Sequence, residues 1–149
     1  MAAINPPGFP VERGKIHEFA NSILDDNPHY HDEEAAKADG LATVVAPPTF
    51  ASVGSFFPDP NAGGSRIPGM GDLDMRYVLH GGQEWTFERP IMAGDVLTTE
   101  PGETSSFEKA GKRGGTMKFI ESETLYKDQN GEIVLRSRST LIQTAEVVS

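Results

Sequence analysis

The chain has 149 residues, no cysteine and a formal net charge of −9, from 22 acidic and 13 basic side chains. That is one domain, residues 1–149, able to bury a core without staples, and the missing cysteines exclude disulfides, thiol nucleophiles and thiolate-bound zinc. The acidic balance excludes nucleic acid and anionic membrane as main partners; with no bilayer-length apolar run and no secretion signal in the first residues, the expected location is cytoplasmic.

Residues 1–10 are proline-rich and expected to be extended. From about Arg13, Ile16, Phe19, Ala20, Ile23 and Leu24 fall at helical spacing, and the helix must stop by Asn27 because Pro28 disfavours the α region there. Asp32 then stands as N-cap to a short helix with acids in its first turn and Gly40 past its end. Val44-Val45-Ala46 precedes Pro47-Pro48, and proline at a first helical position predicts a buried, small-residue-rich helix starting near Pro48. Residues 58–74 form a long Gly/Pro loop. The second half is extended: 75–79, 84–89, 95–103, 116–126 and 132–144, with turns at Lys112-Arg113-Gly114-Gly115 and Asp128-Gln129-Asn130-Gly131. Helices first and an antiparallel meander after them give an α+β layer, one long helix packed on a curled sheet.

The chemistry concentrates in Asp25-Asp26-Asn27-Pro28-His29-Tyr30-His31-Asp32, where the first helix ends. Adding or removing water needs such a cluster: a base, an acid and a polar residue to orient them. Simpler roles stand beside that one. Asn27-Pro28 is an ordinary turn starter, and Tyr30 fits a packed aromatic. His29, His31 and Asp32 form an incomplete nitrogen/oxygen metal set, with His17 and His80 remote in sequence, so no metal is expected. Trp85 and Phe87 share one face of their strand. His80 reads as a surface residue at a strand end, and 109–113 as a solvated basic hairpin that could meet a phosphate.

Phe19-Ala20, Asp25 to Pro28, Asp32 to Ala36, Ala46-Pro47-Pro48-Thr49-Phe50 and Phe87-Glu88-Arg89-Pro90-Ile91-Met92-Ala93-Gly94-Asp95-Val96-Leu97, in this order, resemble the MaoC-like (R)-specific enoyl-thioester hydratases. The nearest pattern is the branch of N-terminal dehydratase domains similar to type I fatty-acid synthase, which includes non-catalytic partner subunits. The resemblance implies a hot-dog fold, an acyl-CoA or acyl-carrier-protein thioester as ligand, lipid metabolism, no cofactor, and a homo- or hetero-oligomer with another hot-dog subunit. The family motif is Asp-x-Asn-Pro-x-His-x-Asp. Asp25, Asn27, Pro28 and Asp32 match it, but Tyr30 stands in the histidine slot, and a phenol titrating near ~10 is a poor base at neutral pH.

Where the family has His-Gly opening the central helix, with the glycine N–H as oxyanion donor, this chain has Pro47-Pro48 followed by Thr49. Proline has no N–H to give, and losing one such donor costs roughly a hundred- to a thousand-fold in rate. The expectation is therefore a hydratase or dehydratase subunit with a degenerate site, shaping the acyl tunnel beside a catalytic partner. Two alternatives are a self-sufficient homodimer using Asp25 or Asp26 with His31, one residue past the motif position, and a non-catalytic acyl-thioester-binding protein.

Overall fold

The computed structural model describes residues 8–56, 73–111 and 115–145. Four long strands make one antiparallel sheet: β2 (Val78–Phe87), β3 (Val96–Ala110), β4 (Thr116–Lys127) and β5 (Ile133–Gln143), with a two-residue β1 (Phe9–Pro10) added at one side. The order is β1-β3-β4-β5-β2, so among the described residues β2 closes the sheet with one side of its ladder unpaired. Before the sheet come α1 (Arg13–Ser22), a 3-10 turn (Pro28–Tyr30), α2 (Glu33–Ala38) and a 3-10 helix (Pro48–Phe56). No helix among the described residues is long and apolar enough to cross a membrane.

α1 is shorter than its apolar spacing predicts. Its last turn closes with the Asp25 N–H on the Ala20 carbonyl and the Leu24 N–H on the Asn21 carbonyl, which is the Schellman arrangement. Leu24 sits at φ 58° in the position glycine usually takes, 92% exposed. Ile23 and Leu24 therefore leave the helix face on which the sequence put them. α2 ends the same way, with Leu41 bonding Ala36 and Gly40 bonding Lys37, and there the left-handed residue is Gly40. Asp32 caps α2 as expected, its carboxylate accepting from Glu34 and Ala35.

The element expected at Pro48 starts there, but as a nine-residue 3-10 helix, opened by the Phe50 N–H on the Pro47 carbonyl. Phe50 is fully buried, and a Cβ on Gly54 would lie 2.7 Å from the Phe9 ring. The core joins Phe9, Ile16, Tyr30, Val44, Phe50, Ile91, Leu97 and Leu135. The expected strands at 75–79 and 84–89 are corrected. Asp74 caps a 3-10 turn at Met75–Tyr77, and β2 then runs unbroken through His80-Gly81-Gly82, where a register shift absorbs one residue. A second shift, between Pro101 and Thr104, lets β3 continue to Ala110. Most of the 58–74 loop, and Lys112, Arg113 and Gly114, lie outside the described residues.

Arg89 pins the corner between β2 and β3. Its guanidinium donates two bonds to buried Asp95, at 2.8 and 2.9 Å, and a third to buried Asp128 at 3.0 Å. The remaining Asp128 oxygen accepts from the Asn130 and Glu132 N–H groups of the β4–β5 turn. Burial pushes the Asp128 carboxyl up, but Arg89 and those two N–H groups outweigh it and hold it below the ordinary carboxylate range. The landmark run around Arg89 and Asp95 is thus a fold-holding corner.

Candidate functional site

The end of α1 and the 3-10 turn after it bring Asp25, Asn27, Tyr30 and His31 together. The Asp25 carboxylate accepts from the Asn27 N–H at 3.1 Å, and the Asn27 side chain accepts from the His29 N–H at 3.1 Å. Both are the side-chain-to-backbone bonds that make Asx turns. Asp25 and Asn27 are therefore engaged in shaping the turn. Asp26 is exposed beside them.

Tyr30 points into the core and is 9% exposed. Burial, then the neighbouring Asp25 carboxylate, raise its phenol above the ordinary value, with Asn27 only partly offsetting them. At neutral pH the hydroxyl keeps its proton. Such a group can pack or donate a hydrogen bond, but it does not take a proton from water.

His31 is partly exposed, and both its ring nitrogens are engaged. Nε2 lies 2.9 Å from the Asp25 backbone oxygen and Nδ1 lies 2.7 Å from Nδ1 of His17. The two rings stand edge to face at 89°. His17, remote in sequence, is thus a direct neighbour of the motif, which corrects the expectation that it lay apart. Nothing in the sequence marks this contact: it arises because the left-handed Leu24 folds the chain back across α1. Nε2 of His29 turns outward to Asp39 at 2.6 Å. Among the described residues no group of three or more His, Asp or Glu side chains is placed to hold a metal ion.

Pro47, Pro48 and Thr49 sit on the adjoining segment, tied to the motif turn by the Val45 N–H on the His29 carbonyl at 3.1 Å. Pro47 is fully buried, whereas Pro48 and Thr49 are exposed at the opening of the 3-10 helix. The Thr49 carbonyl accepts from the Ser52 hydroxyl. The two halves of the expected site are adjacent, then, but neither proline brings a donor to the junction.

Sequence reasoning also missed Trp85 as a polar residue. Its ring packs against the core and meets Phe87 edge to face, while its indole N–H is buried with no partner among the described residues. The other face of the same strands, bearing Glu84, Glu121, Glu123 and Arg138, is solvated.

A family model described as "FAS1-like, dehydratase domain region" matches residues 2–137. A UPF0336 protein of Streptomyces avermitilis is 39% identical over 144 residues, covering 94% of this chain and 89% of that one. A UPF0336 protein of Saccharopolyspora erythraea is 37% identical over 142 residues, with 91% and 82% covered. Among solved structures, the truncated HadBC (3R-hydroxyacyl-ACP dehydratase) complex of Mycobacterium tuberculosis superposes with a TM-score of 0.70 at 26% identity, covering 93% of this chain and 91% of that one. The (R)-hydratase of A. caviae involved in PHA biosynthesis matches in fold, with a TM-score of 0.60 at 19% identity, covering 94% and 98%.

Proposed function

The chain belongs to the FAS1-like dehydratase domain family, and from that membership we propose that it is the non-catalytic half of a heteromeric acyl-thioester hydratase or dehydratase. Its fold is the hot-dog fold, a curled antiparallel sheet with a few helices. In this reading it acts as one hot-dog unit on acyl-CoA or acyl-carrier-protein thioesters. It shapes the acyl tunnel, while a second hot-dog subunit supplies the working Asp/His pair.

The observation that carries this reading is Tyr30. It occupies the histidine slot of the motif, is buried, and keeps its proton. Pro48 agrees, since it offers no N–H where the family places its oxyanion donor. Among the described residues one side of the ten-residue β2 is unpaired, which supports pairing with another strand. The likeness to HadBC, a complex by its own name, supports pairing with a different subunit.

The test is hydration of short and medium trans-2-enoyl-CoA by the purified chain, alone and mixed with a hot-dog subunit that keeps the full motif. The expected result is no turnover alone and turnover in the mixture above that of the partner by itself. Turnover by the isolated chain, abolished in His31→Ala, would overturn this reading in favour of the self-sufficient homodimer.

A further inference from the structure

On the buried face of the sheet, directly opposed residues form rows across β4, β5 and β2. One row is Tyr126–Leu135–Phe87 and another is Ile120–Leu141–His80, apolar on β4 and β5 and ending in an exposed histidine on β2. Their apolar members are what a core-facing sheet needs. Between them lie two rows that are not: Ser122–Ser139–Gln83 and Thr124–Ser137–Trp85. Ser122 and Ser137 are 5% and 7% exposed, and Gln83 is exposed at the free side of β2. A polar band therefore runs from the buried middle of the sheet to the β2 edge, between two rows that are apolar on β4 and β5.

The band has more hydrogen-bonding capacity than the chain uses. Gln83 donates to the Ser137 hydroxyl, and its oxygen lies 3.4 Å from His80. The Trp85 N–H, buried in the same row, has no partner among the described residues. Indole nitrogen can only donate, and a buried indole N–H normally finds an acceptor. An apolar lining crossed by a few fixed polar groups is the anatomy of a ligand site.

Resting on the function proposed above, we infer that this band is a subsite for a neutral oxygen, hydroxyl or carbonyl, borne on an otherwise apolar acyl chain. Trp85 is its donor, and Ser137, held by Gln83, is its second contact. The oxygen is neutral because the band contains no cation and the chain as a whole is strongly acidic. The apolar rows on either side take the methylene segments before and after that oxygen.

Trp85 is the only tryptophan, so its indole N–H gives a single resonance in a 15N-labelled sample. The full chain is titrated with saturated, 3-hydroxy and mid-chain hydroxy acyl-CoA thioesters of matched length, and affinities are measured in parallel by calorimetry. The expected result is that an oxygenated thioester moves the indole proton downfield and binds about tenfold more tightly than the saturated one. That ratio collapses toward one in Trp85→Phe, which keeps a ring and loses the donor; Ser137→Ala reduces it in part. Equal affinity for all three thioesters with an unmoved indole resonance would overturn the subsite and leave the acyl-binding function standing. Failure of every thioester to bind, both to the chain alone and to its mixture with a full-motif hot-dog subunit, would overturn both. Should Trp85→Phe not fold, the wild-type resonance and Ser137→Ala decide.

Discussion

His31 meets His17 through their Nδ1 atoms, 2.7 Å apart, while its Nε2 meets the Asp25 carbonyl at 2.9 Å. A carbonyl only accepts, so His31 Nε2 carries a proton and, in a neutral ring, Nδ1 accepts. His17 must then donate from Nδ1, leaving its Nε2 to accept from the Asn21 amide at 3.1 Å. Four groups form one directed chain, from α1 across to the motif turn. His17→Ala removes the donor in the middle and is expected to lower stability by about 0.5–1 kcal/mol, a modest amount because the pair is partly solvated. Urea unfolding of the variant beside wild type measures this. An unchanged midpoint would reduce the pair to a surface coincidence.

Leu24 gives a prediction of opposite sign. It holds a left-handed conformation at the end of α1 while being 92% exposed, so its side chain contributes no burial to offset the strain. The equivalent position after α2 is Gly40. Leu24→Gly relieves the strain at some cost in unfolded-chain entropy, and a net gain of roughly 0.5 kcal/mol is expected. Thermal unfolding would show the rise; a fall would mean the leucine packs against something that stabilises it.

The Arg89 corner sets the acid limit of the fold. Asp128 has a depressed folded-state pKa, so the stability it contributes is fully present above its unfolded value of ~4 and is lost as pH falls through the folded value. Urea midpoints measured downward from neutral pH should therefore drop below about pH 4, and Asp128→Asn should flatten that limb. Arg89→Met leaves Asp95 buried and unpaired, with an expected cost of about 3 kcal/mol at neutral pH.

On the proposed reading, repairing the motif tests whether one substitution or two account for its silence. Tyr30→His restores the family's imidazole, yet with Pro48 in place the proposed thioester would still lack an N–H donor to its oxygen. That single variant is expected to remain at least about a hundredfold below the Tyr30→His/Pro48→Gly double variant in enoyl-CoA hydration. Equal rates in the two would remove Pro48 from the explanation.

Local chemistry made much of this legible in advance. Asp32 as cap, Pro48 as helix start and the Asn130-Gly131 turn each act over a few residues, and each stands where the sequence put it, whereas α1 ends at Ser22, well before Pro28, which opens the 3-10 turn instead. Interruptions of a periodic pattern were harder. Gly81 reads as a break between strands, whereas β2 passes through it by shifting register, because Ile142 of β5 covers the space a side chain would need. Pro101-Gly102 does the same in β3. In the site, identity at each motif position was readable, but engagement was not. That His31 is held by His17, or that the Trp85 N–H is left over, depends on which residues three-dimensional packing brings opposite one another.

The unpaired side of β2 also bears on how such a chain is made and kept. A ten-residue strand left open on one side among the described residues will pair with whatever strand arrives, including another copy's or that of a misfolded neighbour. If the proposed partner subunit pairs there, synthesis in balance with it is a form of protection. Produced in excess, the chain would show a melting temperature that climbs with its own concentration and a yield in solution that improves on co-expression.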